Sequence, residues 1–178
     1  MHLMRAKTKA SPVVRQLKMD RAAQREGVRR LASVLTRFRY EGKPFLGRNA
    51  REARDVLELF TRNLSSHMRL QEKTVFPYLQ KHLPRLGPVV LVLRSEHREL
   101  VESLERFRRL LRNVLRFHDG IRYVRQTLDE LIETGHYVNC LVSHHFRAEN
   151  KILLAIVERD LRDSEKQDLS RRVGHARR

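Results

Sequence analysis

A chain of 178 residues with 40% hydrophobic content is long enough for one ordinary domain with a real core. Seven glycines and five prolines are too few for a turn-rich all-β architecture. A single cysteine, Cys140, allows no internal disulfide or thiolate cluster and suits a reducing, cytoplasmic setting, and no apolar run approaches the roughly 20 residues that span a bilayer. The formal charge of +17, from 38 basic and 21 acidic residues, attracts nucleic acid, anionic membrane or acidic protein without choosing among them.

In chain order, residues 1–12 read as a basic tail without an apolar signal core. The charge excess is concentrated here: residues 1–50 hold 13 lysines and arginines against Asp20, Glu26 and Glu41. Ser11-Pro12 opens a first helix predicted over 13–39, with Leu17, Val28, Leu31, Leu35 and Phe38 at helical spacing. Glu41-Gly42-Lys43-Pro44 breaks it. A second helix is expected over 49–82 on Val56, Phe60, Leu64 and Tyr78, ending at the PRLGP stretch from Pro84 to Pro88. A third spans 88–116 on Val90, Leu93, Leu100, Leu104 and Leu111, and stops at His118-Asp119-Gly120. A fourth covers 121–160 on Val138, Leu141, Ile152 and Ile156. Ser164 and Gln167 form the signature of a capping box opening a short last helix, and residues 174–178 make a basic tail. Four amphipathic helices with short connections predict an all-α, up-down four-helix bundle over 13–173, closed by a short C-terminal helix.

Polar residues that interrupt an apolar helix stripe cost free energy unless they are paired. At about 100° per residue, His145 falls in the middle of the fourth helix's stripe, and Glu149 lies about 40° away and still inside. His67 holds the same position on the second helix, with Gln71 one turn on, and His97 on the third. Glu72 and Cys140 point away from their stripes, and His136 faces solvent. Three imidazoles and a carboxylate from three helices therefore meet in one interior. These are the ligands that iron, manganese or zinc accept in helix bundles. A buried Glu149 carboxylate requires a proton, a histidinium partner or a metal ion. Asn139, His144 and Asn150 flank this group.

The sequence contains no Gly-rich phosphate loop, no GxSxG elbow and no HExxH, so no enzyme signature stands beside the histidines. Eleven aromatics without tryptophan make a base-stacking platform a poor expectation. The charge leaves one alternative of a different class: a metal-free basic bundle that binds nucleic acid or an acidic protein.

The segments HMRLQEKTVFPYL (His67, Phe76, Pro77), LRSEHREL (Glu96, His97) and HFRAENKILLAIVERDL (His145, Glu149) resemble, in order and spacing, the hemerythrin-like or HHE cation-binding family. SEKQDL is similar to its usual short C-terminal helix. The resemblance implies a non-haem metal centre, iron first, that meets O₂, NO or peroxide in sensing, storage or protection. It implies His97, His145 and Glu149 as metal ligands, with His67 as a further ligand or neighbour. In this family the second helix carries His-x-x-x-Glu, whereas this chain has His67 followed by Gln71. The family's first-helix histidine has no counterpart between Ser11 and Tyr40, where Leu17 and Gln24 face inward. One ion or none is therefore expected, rather than two.

Overall fold

A proline at the first helical position sacrifices no backbone bond, and helix α1 (Pro12–Tyr40) begins on Pro12. Ser11, just before it, donates its backbone N–H (3.1 Å) and hydroxyl (2.7 Å) to Glu158 Oε2, fastening the helix start to a distant part of the chain. The turn after α1 passes through Gly42 at φ 72°, a left-handed conformation that glycine adopts without a Cβ penalty. The computed structural model describes residues 10–116 and 121–177. The expected turn at His118-Asp119-Gly120 and most of the N-terminal tail lie outside the described residues.

The second expected helix is interrupted. It consists of α2 (Leu46–Leu70), a π-helical turn (Gln71–Val75) and α3 (Phe76–His82). Pro77 explains the break: it has no N–H to donate and its ring crowds the preceding turn, so the ladder widens and Phe76 N–H bonds Gln71 O, five residues back. Helix α4 (Gly87–Arg116) follows as predicted. The fourth expected helix is likewise split, into α5 (Ile121–Ala148), a π-helical turn (Glu149–Leu153) and α6 (Leu154–Asp160). The extra residue in this turn rotates the remainder of the helix. Ile152, expected in the stripe, is therefore exposed, and Leu153, Leu154 and Val157 are buried instead. Helix α7 (Asp163–Ala176) starts before the expected Ser164: Arg162 N–H donates to Glu165 Oε2 at 2.9 Å, so Arg162 and Glu165, not Ser164 and Gln167, close its N-terminus.

The fold is all-helical, with no strand among the described residues. Helix α1 packs on α2 and α5, and α4 packs on α5 and α2, closing a ring, while α7 lies against α1. Two apolar clusters fill the interior. One gathers Leu31, Leu35, Phe60, Leu64, Leu104, Phe107 and Val138, the other Leu17, Phe76, Leu79, Leu93, Leu153, Val157 and Leu169. Each fully buried Leu or Phe side chain contributes roughly 1.5–3 kcal/mol, so these clusters carry the stability of the ring. Each of the four helical runs, α1, α2–α3, α4 and α5–α6, crosses from one cluster to the other. At the crossings stand the buried polar residues Gln24, His67, Gln71, His97, His145 and Glu149.

Candidate metal centre

Both π-helical turns open on a residue of this polar band, Gln71 in one and Glu149 in the other, and the two side chains meet: the Gln71 amide donates to Glu149 Oε1. Glu149 is fully buried. The same oxygen lies 3.1 Å from His67 Nε2 and 3.3 Å from His145 Nε2. One donor atom from each of His67, His145 and Glu149 falls within 4.8 Å of the others. His97 joins through His145, its Nε2 standing 3.2 Å from His145 Nε2. All four residues expected as ligands are thus buried together, but they are grouped differently from the expectation. The tight cluster contains His67, and His97 attaches at its edge.

Two of the imidazoles are oriented from outside. His97 Nδ1–H donates to Glu72 Oε1 at 2.8 Å, and His145 Nδ1–H donates to Glu96 Oε2 at 2.7 Å. A carboxylate on the far nitrogen fixes a proton on Nδ1 and turns Nε2 inward, as around protein-bound metals. Glu96 also pairs with the exposed His144 at 3.3 Å. Apolar rings complete the walls: Phe76 stacks on His97 with centroids 5.6 Å apart, and Phe146 meets His67 edge-on at 5.7 Å.

Burial pushes the His97 imidazole down to about 4; its bond to Glu72 pulls the other way, and the charge of His145 adds to the depression. His97 is therefore neutral near pH 7, with its free lone pair toward His145. Burial also works against charge on His145, but the hydrogen bonds and charges of Glu149 and Glu96 outweigh it and raise its pKa. For Glu149, burial disfavours the anion, and the bonds from His145 and His67 overcome it, holding the carboxyl well below the usual range. In the metal-free protein one proton on His145 Nε2 thus serves both Glu149 Oε1 and His97 Nε2. A divalent cation would be held by the same atoms. The donor set is chemically apt: imidazole nitrogens and one carboxylate suit a borderline first-row metal, and they come from α2, α4, α5 and the second π-helical turn.

Sequence reasoning misses Glu72 and Glu96 as parts of the site. The helical angle turns Glu72 away from the apolar stripe. Its side chain is exposed, yet it reaches His97 from within a turn that is underwound. Glu96 is legible only as the neighbour of His97. Cys140 is exposed, as expected. Gln24 is fully buried, and neither atom of its amide has a hydrogen-bond partner among the described residues.

Imidazoles and a carboxylate buried where helices cross are the ingredients from which helical proteins build interior metal sites. The comparison with known families makes this specific. The hemerythrin HHE cation-binding domain matches residues 13–157, and the chain belongs to that family. No curated protein and no solved structure matches it. No helix among the described residues is long and apolar enough to cross a membrane.

Proposed function

We propose that this hemerythrin-family chain is an up-down four-helix bundle holding one divalent metal ion, iron first, with manganese or zinc as substitutes. Nε2 of His67, His145 and His97 and Oε1 of Glu149 are the ligands. The observation that carries this reading is the meeting of His67 Nε2, His145 Nε2 and Glu149 Oε1 in a buried interior, with His97 Nε2 3.2 Å from His145 Nε2 and two of the rings held from behind by Glu72 and Glu96. The alternation of the helices between the two apolar clusters supports the up-down arrangement.

Four protein ligands would leave room beside the ion for a small molecule, and iron, when bound, would supply a redox-active Lewis acid suited to O₂, NO or peroxide. The chain's own groups would bind and orient the ion and exclude water through Phe76 and Phe146, and the His145 Nε2 proton would leave to solvent as the ion takes its place. No Gly-rich phosphate loop, GxSxG elbow or HExxH stands in the sequence, and the role we assign is sensing, storage or protection in the cytoplasm.

The test is elemental analysis of protein purified without an affinity tag. About one iron per chain is expected, falling to background in His145→Ala. Two irons per chain, or retention of metal by that variant, would overturn the assignment.

A further inference from the structure

His97 and His145 each have a carboxylate on Nδ1, but His67 does not. Its ring is buried, its Nε2 faces Glu149, and its Nδ1 has no hydrogen-bond partner among the described residues. A metal-bound imidazole almost always donates its other N–H to a carboxylate, a carbonyl or a water. On the outer side of His67 lies a cavity of about 340 Å³ between α2, the first π-helical turn and the end of α7. Its charged lining is cationic: Arg69, Lys73 and Arg177, with no carboxylate among the described lining residues. Ser66, Thr74 and Asn63 add neutral hydrogen-bond donors.

We propose that this cavity binds a small oxyanion, a phosphate group free or carried on a small molecule, which supplies His67 with the acceptor its two fellow imidazoles receive from Glu72 and Glu96. The chemistry is that of charge-assisted hydrogen bonds to phosphate oxygens, with the guanidinium of Arg69 and the ammonium of Lys73 as principal donors. Neither makes an ion pair with a described carboxylate, unlike Arg106, which pairs with Glu130, or Arg162, which pairs with Glu165. Chloride is too small to bridge the basic side chains and the His67 ring, whereas a tetrahedral oxyanion offers several acceptors at once. The volume exceeds that of a phosphate ion and leaves room for a short organic substituent. The His67 contact rests on the metal reading above, because a ring whose Nε2 binds the ion carries its proton on Nδ1. The cationic cavity does not depend on that reading.

The experiment is isothermal titration of the full chain with inorganic phosphate and with glycerol phosphate in chloride buffer at physiological ionic strength, before and after loading with Mn²⁺. The metal content of each sample is assayed separately. One saturable equivalent is expected, weakened roughly tenfold in Arg69→Ala and in Lys73→Ala, the cost of one charge-assisted contact. Arg109→Ala removes the same charge elsewhere and leaves the affinity unchanged. Binding that is tighter for glycerol phosphate identifies a phosphomonoester as the ligand, and equal binding identifies the free ion. Metal loading tightens both, since linked sites act on each other reciprocally. Non-saturating binding, or equal weakening by Arg109→Ala, overturns the proposal. A chain that takes up no metal yet binds phosphate through Lys73 defeats the metal reading and leaves the oxyanion site standing.

Discussion

On the function proposed above, the number of ions the site takes turns on Gln71. Its amide donates to Glu149 Oε1, so a neutral group stabilises the buried carboxylate without competing for the cation. Gln71→Glu would set a second carboxylate against the first. In metal-free protein we expect this to cost roughly 3 kcal/mol, the scale of an uncompensated buried charge, read as a lower urea midpoint. Added divalent metal should restore the midpoint and raise uptake above one ion per chain. If the midpoint is unchanged and uptake stays at one, Gln71 does not limit the site. Residues of this kind are legible in the sequence. Helical angles alone place His67, Gln71, His97, His145, Glu149 and Gln24 inward, and each is buried. Glu72 is illegible, and Glu96 is legible only through its pairing with His97 in LRSEHREL, because a helical angle fixes where Cβ points, not how far a flexible carboxylate reaches. Both approach their imidazoles from the flank of a helix.

At the scale of the element, the four long apolar patterns mark the helices with their ends nearly in place, but they do not disclose the two π-helical turns. A stripe at i, i+4 spacing continues smoothly through an inserted residue: His67, Gln71, Val75 and Leu79 are all buried, as are His145, Glu149, Leu153 and Val157. Pro77 is the one local signal, and the turn at Glu149 has no proline to announce it. Close helix contacts leave a clearer trace in the glycines. A Cβ on Gly135, within α5, would come 2.6 Å from Leu35 Cδ2 on α1 and 2.9 Å from Phe107 Cε2 on α4. Alanine gains about 1 kcal/mol of helix propensity over glycine, but overpacking a core costs about 1–3 kcal/mol. Gly135→Ala should therefore destabilise by on the order of 1 kcal/mol in denaturant titration. Gly174→Ala in α7, where a Cβ meets nothing within 4 Å, should stabilise by up to about 1 kcal/mol. A stabilised Gly135→Ala would show that α1 and α4 separate more readily than their packing indicates.

Over the whole molecule, 38 basic residues surround 21 acidic ones, so most carboxylates find a cation. That surplus governs the response to acid. The Arg162 side chain, its backbone N–H and His82 hold Glu165 down at about 2, against an ordinary value of 4.5. A bond from Arg159 lowers Asp160, one from Arg172 lowers Asp168, and one from Asn49, backed by Arg48, lowers Glu41. A carboxyl whose folded pKa lies below its unfolded one takes up a proton more readily when unfolded. Its contribution is complete above the unfolded value and fades as pH falls through the folded one. Stability should thus hold level from pH 7 to about 5, decline from about pH 4.5 and keep falling toward pH 2, as each protonation also adds to an already positive molecule. Urea titrations across this range check the slope. Repeating them at about 0.5 M salt should flatten it, because these groups are half-buried at the surface, within reach of ions, and screening weakens both their attraction to arginine and the mutual repulsion of the excess cations. Glu165→Gln should make the decline shallower, since the carboxyl held down at about 2 no longer titrates. A stability curve that stays flat to pH 3 would mean that the arginines stabilise these carboxylates as fully in the unfolded chain as in the folded one.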